Sequence, residues 1–556
     1  MEMVFSFLES INSILWHPTV LIALLMVGLL FSIWSRWGQY MALTHGIKVI
    51  RGAYDSSSAP GAISHFQALS AALSATVGLG NIAGVAIAIS LGGPGAVFWM
   101  WVVGFIGMAL KMTEVIQSML YRDVTKPEEP HGGPMFVVKR GLENRGWRRT
   151  GSFLGGLFCL TLLASTITGG NMFQAWNVAE ISFSYFGWPK MITGTILFVL
   201  VCLVIIGGIK RIGRVAGKLV PIMCGTYILA AIAVMFHFRF LIPETLALII
   251  HSALPDWLGG KAPDPTGAFI GGTAGFAFMK GMQRALFSNE AGQGSAPIAH
   301  SSARTHEPVR EGIVAGLEPF VDTLCICTMT AMVILLSSVW KRPVDRVFGM
   351  EPETSAETGK WVFYPTPIAL DNEIKVGTGV FALVFPDPAQ DPRIRLQGSI
   401  VQREDGTNWI SWEQRVFNKR PLLVENGYYL EYKGATLTAI AFDRAWPGLG
   451  RWVVPICVWL FALSTIISWS YYGEQGTVYL FGDKAIPYYR WAYCLLIPIS
   501  SSPLIATEGQ LDAISTLGTG LMLWVNIPIM LIFGKEAMAA LADYKTRLKS
   551  GQFNQT

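Results

Sequence analysis

The stretch Ser74-Ala75-Thr76-Val77-Gly78-Leu79-Gly80-Asn81 gathers hydroxyls, an amide and two flexible backbone positions inside a long apolar run. Glycine costs an α-helix about 1 kcal/mol relative to alanine, and Gly78, Gly80 and Gly84 fall within seven positions with no turn signal on either side. In lipid, a helix broken there leaves peptide groups unpaired at high cost unless a protein-lined cavity completes them. The N–H groups that open the second half-helix suit an anion, and the carbonyls that close the first suit a cation such as sodium. A small zwitterion held by its carboxylate beside Na⁺ meets both demands, as in carriers built on discontinuous helices. On this reading the carboxylate meets N–H groups around Leu79 and Gly80, and Gly78 allows close approach. Thr76 and Asn81 offer oxygen to a cation or a hydrogen bond to the substrate.

Other side chains join this chemistry. Asn171 and Gln174 lie on adjacent faces of a later apolar segment, placed to reach the substrate ammonium or carboxylate, or to bond between helices. Gly275 allows an unwound backbone, and Phe276 and Met279 cap a side-chain pocket or simply pack. Each charge inside a membrane segment is a functional hypothesis. Glu318 and Asp322 share one helix face, as do Lys280 and Arg284. Paired across helices, the four form an inner gate or a static ion network. Glu290 terminates and anchors its helix.

The elements that must position these residues are membrane helices. Of the 556 residues, 52% are hydrophobic and 14% charged, against about 25% charged in soluble proteins. About eleven apolar stretches are long enough to span, near 15–35, 64–92, 95–120, 153–184, 188–207, 214–238, 266–289, 311–340, 448–481, 487–506 and 513–534. With the odd-numbered loops on one side, basic residues such as Arg36, Lys139, Arg140, Lys210 and Arg304 collect there. The positive-inside rule then puts the N-terminus outside and the C-terminus in the cytoplasm.

Carriers of this kind are often inverted repeats, which requires a second break in the seventh span. There Gly271, Gly272, Gly275 and Gly281 interrupt the apolar pattern. The predicted fold is an all-α polytopic membrane protein of two five-helix units with a β-rich insertion. Residues 1–62 form a peripheral first helix and amphipathic linker, 63–240 the first repeat, 241–264 an external connector and 265–340 the start of the second repeat. The insertion takes 341–446, the rest of the second repeat 447–534 and a cytoplasmic tail 535–556. Strand-like runs "GVFALVF" and "IRLQGSIV" and the hairpin signals Asp405-Gly406 and Asn426-Gly427 mark the insertion. It reads as an extracytoplasmic cap, or as a module that binds a partner or ligand.

Several classes are excluded. Gly78-x-Gly80-x-x-x-Gly84 superficially matches a dinucleotide loop, but no strand precedes it and "FWMWVVG" supplies no acid downstream. Helix packing through small residues accounts for part of the glycine content. The seven cysteines sit in apolar segments without zinc-like spacing, and the eight histidines are scattered. No nucleotide-binding or nucleic-acid-binding segment is present in this reading, and the N-terminus lacks a cleavable secretory signal.

The motifs "VGLGNIAGVAIAISLGGPGAVFWMW", "GNMFQAWNVA", "RALFSNEAGQGSAPIAH", "EPFVDTL" and "FALSTIISWSYYGEQ" resemble those of the alanine or glycine:cation symporter family. The resemblance runs through most of the membrane region and leaves the β-rich segment uncovered. It implies a leucine-transporter-like fold and sodium-coupled uptake of alanine or glycine, including D-alanine, across a bacterial inner membrane. From that architecture it also implies a sodium site made by carbonyls near Ser74 and Val77 with the hydroxyls of Ser464 and Thr465. Na⁺ is the only cofactor implied, as coupling ion. Proton coupling, or a membrane sensor using the outer β segment, are the competing readings.

Overall fold

The computed structural model describes residues 2–56, 58–261, 268–269, 274–350, 352–357, 360–369, 374, 376–387, 393–432, 435–502 and 508–554. Each of the eleven predicted stretches contains a helix. Among the described residues, six helices are long and apolar enough to cross a bilayer: Gly95–Tyr121, Arg148–Phe186, Gly208–His237, Pro308–Leu336, Leu449–Phe481 and Ile514–Ile532. Two further pairs qualify jointly and are bent, Pro18–Trp34 with Gly38–Ile50 by 66° and His65–Thr76 with Leu79–Gly92 by 61°. Lys190–Ile205, Ala274–Asn289 and Ile486–Ser500 are shorter.

Local chemistry sets the ends of the first broken helix. Ser64 Oγ accepts from the Gln67 backbone and Gln67 Oε1 accepts from the Ser64 backbone, a reciprocal cap that starts the helix at His65. It ends where Val77 (φ −74°, ψ 85°) and Gly78 (φ −131°, ψ −156°) leave the helical region. The chain re-enters a helix at Ala83.

The insertion holds an antiparallel sheet. Gly379–Phe385 is central, with Ile394–Gln402 on one side and Gly427–Leu430 on the other; Asn408–Trp412 and Thr366–Ile368 extend one edge. Alternate positions along the strands close over Phe348, Leu396, Ile400, Ile410 and Trp412. The last part of the predicted β-rich segment is instead a helix, Thr436–Ala445. Leu437, Ala441 and Phe442 recur at helical spacing on its buried side.

Candidate functional site

The site assembles between two breaks. At the first, Asn81 is a strut: its Oδ1 accepts the Gly78 N–H at 2.9 Å, and its Nδ2 donates to the Asp322 carboxylate and main-chain carbonyl. Both ends of the amide are thus engaged in holding the bend. Among the described residues, the N–H groups of Leu79 and Gly80 have no acceptor. Asp322 lies in a widened π-helical turn, Phe320–Cys327, that follows Pro319, a residue with no N–H to give the helix.

Among the described residues a second break lies at Glu290–Ser295. Gly275 and Gly281 lie within the helix Ala274–Asn289, while Gly271 and Gly272 are outside the described residues. Gly281 is a packing glycine: a Cβ there would come within 2.3 Å of the Ala96 carbonyl oxygen. The turn comes from Gly292 and Gly294, both at φ 82°, conformations that favour glycine. Glu290 itself sits at φ 55°. Its carboxylate accepts from Ser295 Oγ and from Trp469 Nε1 at 3.2 Å, while the Gly294 N–H donates to Glu114 Oε2 at 3.1 Å. Glu290 does anchor its helix end, as the sequence suggests.

A cavity of about 30 Å³ lies between the breaks, walled by Thr76, Gly78, Gly80, Gln174, Glu290 and Thr465 among others. Four buried side-chain atoms among its lining residues have no hydrogen-bond partner among the described residues: Gln174 Oε1, Gln293 Oε1, Thr465 Oγ1 and Ser515 Oγ. Buried polar atoms are normally satisfied, so four orphans around one cavity mark a place for a polar guest. The wall is close to the backbone because Gly78 has no side chain; a Cβ there would meet Thr465 Oγ1 at 2.7 Å.

The structure brings Thr76, Gly78, Gly80, Gln174 and Thr465 together around one cavity, although Thr76 Oγ1 also bonds back to the Ala72 carbonyl at 3.3 Å. Leu79 and Val77 are buried beside them. The hydroxyls of Ser74 and Ser464 are spent on backbone: Ser74 Oγ donates to the Ser464 carbonyl at 2.8 Å, and Ser464 Oγ to the Phe461 carbonyl of its own helix at 2.8 Å and the Ser74 carbonyl at 3.3 Å.

Asn171 turns away, donating to the Tyr493 carbonyl at 2.7 Å, because its widened turn, Thr168–Met172, lies against the helix Ile486–Ser500. Gly275, Phe276 and Met279 are also absent from the cavity. Phe276 carries Lys280 Nζ 5.5 Å from its ring centre, and Met279 packs into the core. The far end of the same helix, Phe287, lines the cavity in their place.

The predicted gate is not formed. Glu318 pairs with Lys111 at 3.3 Å and with His300 at 2.6 Å, and Asp322 is held by Asn81, Ser288 and Thr323. No carboxylate oxygen of either acid is paired with Lys280 or Arg284. In their place runs a buried chain that sequence reasoning missed: His65 to Glu311, Glu311 to His300, His300 to Glu318, Glu318 to Lys111, and Lys111 to Glu114 at 3.8 Å. Lys111 and Glu114, three apart in an apolar helix, were the available signal. Ser515 and Gln293 were also missed; a serine in an oily helix and a glutamine beside glycines carry no distinctive pattern.

Two broken helices facing one another across a polar cavity, inside a bundle of apolar helices, define a multi-pass membrane transporter and not an enzyme. The model of the sodium:alanine symporter family matches residues 1–370 and 422–556, and the chain belongs to that family. The sodium/alanine symporter AgcS of Methanococcus maripaludis is 33% identical over 492 residues, covering 88% of this chain and 87% of that protein. The amino-acid carrier protein AlsT of Bacillus subtilis is 35% identical over 370 residues, covering 66% and 74%. The solved structure of MhsT in complex with L-phenylalanine matches 87% of this chain and 92% of that one, at a TM-score of 0.46 and 14% identity.

Proposed function

We propose that this chain couples sodium influx to the uptake of a small neutral amino acid, alanine or glycine and including D-alanine, by alternating access. The observation that carries the reading is the set of four unpartnered buried atoms around the cavity, beside the open N–H groups of Leu79 and Gly80. The N–H pair suits a carboxylate. Thr465 Oγ1 and Gln174 Oε1 offer oxygen to Na⁺, a hard cation. Ser515 and Gln293 remain for the ammonium or a second ion. A cavity of 30 Å³ holds an ion or a water-sized group, so a whole amino acid enters only when the walls part.

Membership in a sodium:alanine symporter family supports the choice of ion and substrate. The basic loops support a cytoplasmic C-terminus and an outer position for the sheet. One sodium charge crossing 100 mV releases about 2.3 kcal/mol, enough for roughly fiftyfold accumulation. A second reading, coupling to protons, is favoured by the His65–Glu311–His300–Glu318 chain. Uptake of radiolabelled alanine into proteoliposomes, with and without a sodium gradient at fixed pH, separates the two. Uptake unchanged by sodium removal overturns the sodium reading.

A further inference from the structure

A second cavity, of about 430 Å³, lies between the membrane helices and the inserted sheet. Leu79, at the first break, lies at its floor with Trp176 and Asn177, and all three are buried. The facing wall is Gly377, Thr378 and Gly379. These three residues fall within 371–421, the stretch that the family model does not match. The added segment therefore faces the one residue that separates Gly78 from Gly80, and those two line the lower cavity.

A second contact ties the same segment to the broken helix. Arg395, also within 371–421, donates from Nη2 to the carbonyl of Ser90 at 3.0 Å and to that of Ala268 at 3.1 Å. Its guanidinium carbon lies 4.4 Å from the centre of the Phe381 ring, which fixes its direction. Ser90 is in the last turn of Ala83–Gly92, where helix carbonyls lack intrahelical partners and a cation complements the dipole. Ala268 stands ahead of the helix that leads to the second break. One side chain of the sheet thus holds the outer end of the first broken helix and the approach to the second.

We propose that the inserted sheet is the outer gate of the transport route, and that Arg395 is the positioning residue coupling it to the half-helix Ala83–Gly92. The proposal rests on the reading of the first break as the substrate site. An amino acid coming from the sheet side passes between Thr378 and Gly379 and the pair Trp176 and Asn177 before it meets Leu79. A passive spacer would need neither a wall on that cavity nor a guanidinium on a helix end.

The test uses the full chain in proteoliposomes under a sodium gradient, with radiolabelled alanine. Thr378→Cys is assayed before and after reaction with a bulky maleimide, and the unsubstituted chain treated alike controls for its seven native thiols. Labelling is expected to slow uptake by about tenfold relative to the same variant unlabelled. Arg395→Gln is expected to lower the maximal rate by about fivefold while alanine binding in detergent stays within about twofold, and Arg395→Lys to recover most of the rate. A loss of fold would lower binding capacity as well, so the split between rate and binding distinguishes coupling from damage. Labelled Thr378→Cys transporting at its unlabelled rate, or Arg395→Gln at the unsubstituted rate, overturns the gate and leaves the symport reading standing. An unsubstituted chain that moves no alanine overturns both.

Discussion

Glu290, Gln293 and Ser295 make hydrogen bonds within the second break, helped by Glu114 and Trp469, whereas at the first break Asn81 holds Gly78 and Thr438 donates to the Ile82 carbonyl. The backbone at Leu79 and Gly80 stays open, the unpartnered side chains Thr465, Gln174 and Ser515 come from neighbouring helices, and the second break adds one unpartnered oxygen, Gln293 Oε1. One break is a rigid wall and the other is a socket. A broken helix is therefore evidence of a ligand only after its own side chains have been counted as possible partners.

The largest effect should come from undermining the wall. Lys111→Met leaves Glu114 buried without its cation and Glu318 with His300 alone, and the loss of one partner from a buried ion pair costs about 3–5 kcal/mol. Thermal unfolding in detergent should show a sharp drop, and an unchanged transition would mean that the ion chain does not support the second break. Asn81→Ala should follow, since it strips a hydrogen bond from Gly78 and from Asp322 at once. Unsatisfied buried groups cost about 1–3 kcal/mol each, and sodium-driven uptake should fall by about a hundredfold.

The socket is probed more narrowly by Thr465→Val, which removes a hydroxyl that bonds to nothing in the described protein while keeping its shape. Sodium for half-maximal uptake should rise by about tenfold, or about 1.4 kcal/mol, with little change in melting. A large loss of stability with unaltered sodium dependence would instead make Thr465 part of the wall. The smallest effect is expected from Asn171→Ala. It removes the bond to the Tyr493 carbonyl, at about 1 kcal/mol of stability, and should leave the alanine concentration for half-maximal uptake within about twofold.

The first break was legible because Gly78 and Gly80, two positions apart and flanked by Thr76 and Asn81, interrupt a long apolar run. The second was not, since glycine serves two purposes that look identical in a sequence. Gly281 lets the Ala96 carbonyl approach, and Gly292 and Gly294 turn the chain. Only backbone angles separate those uses. The gate failed for a related reason: helical spacing shows that Glu318 and Asp322 share a face, but not which helix faces them. Lys111 and His300 had the shorter reach to Glu318. Asn171 and Gln174 were read as equals, yet a widened turn rotates them apart, and no residue pattern announces such a turn.

Leu79 has a consequence for economy of ions. A machine driven by a gradient loses it through any continuous wet path, and here the upper chamber ends on a hydrocarbon side chain that is 1% exposed. The Leu79 side chain itself offers an ion no oxygen, as at the dewetted constrictions of closed channels. On the proposed symport reading, trading Leu79 for serine should reveal a current that runs without cargo.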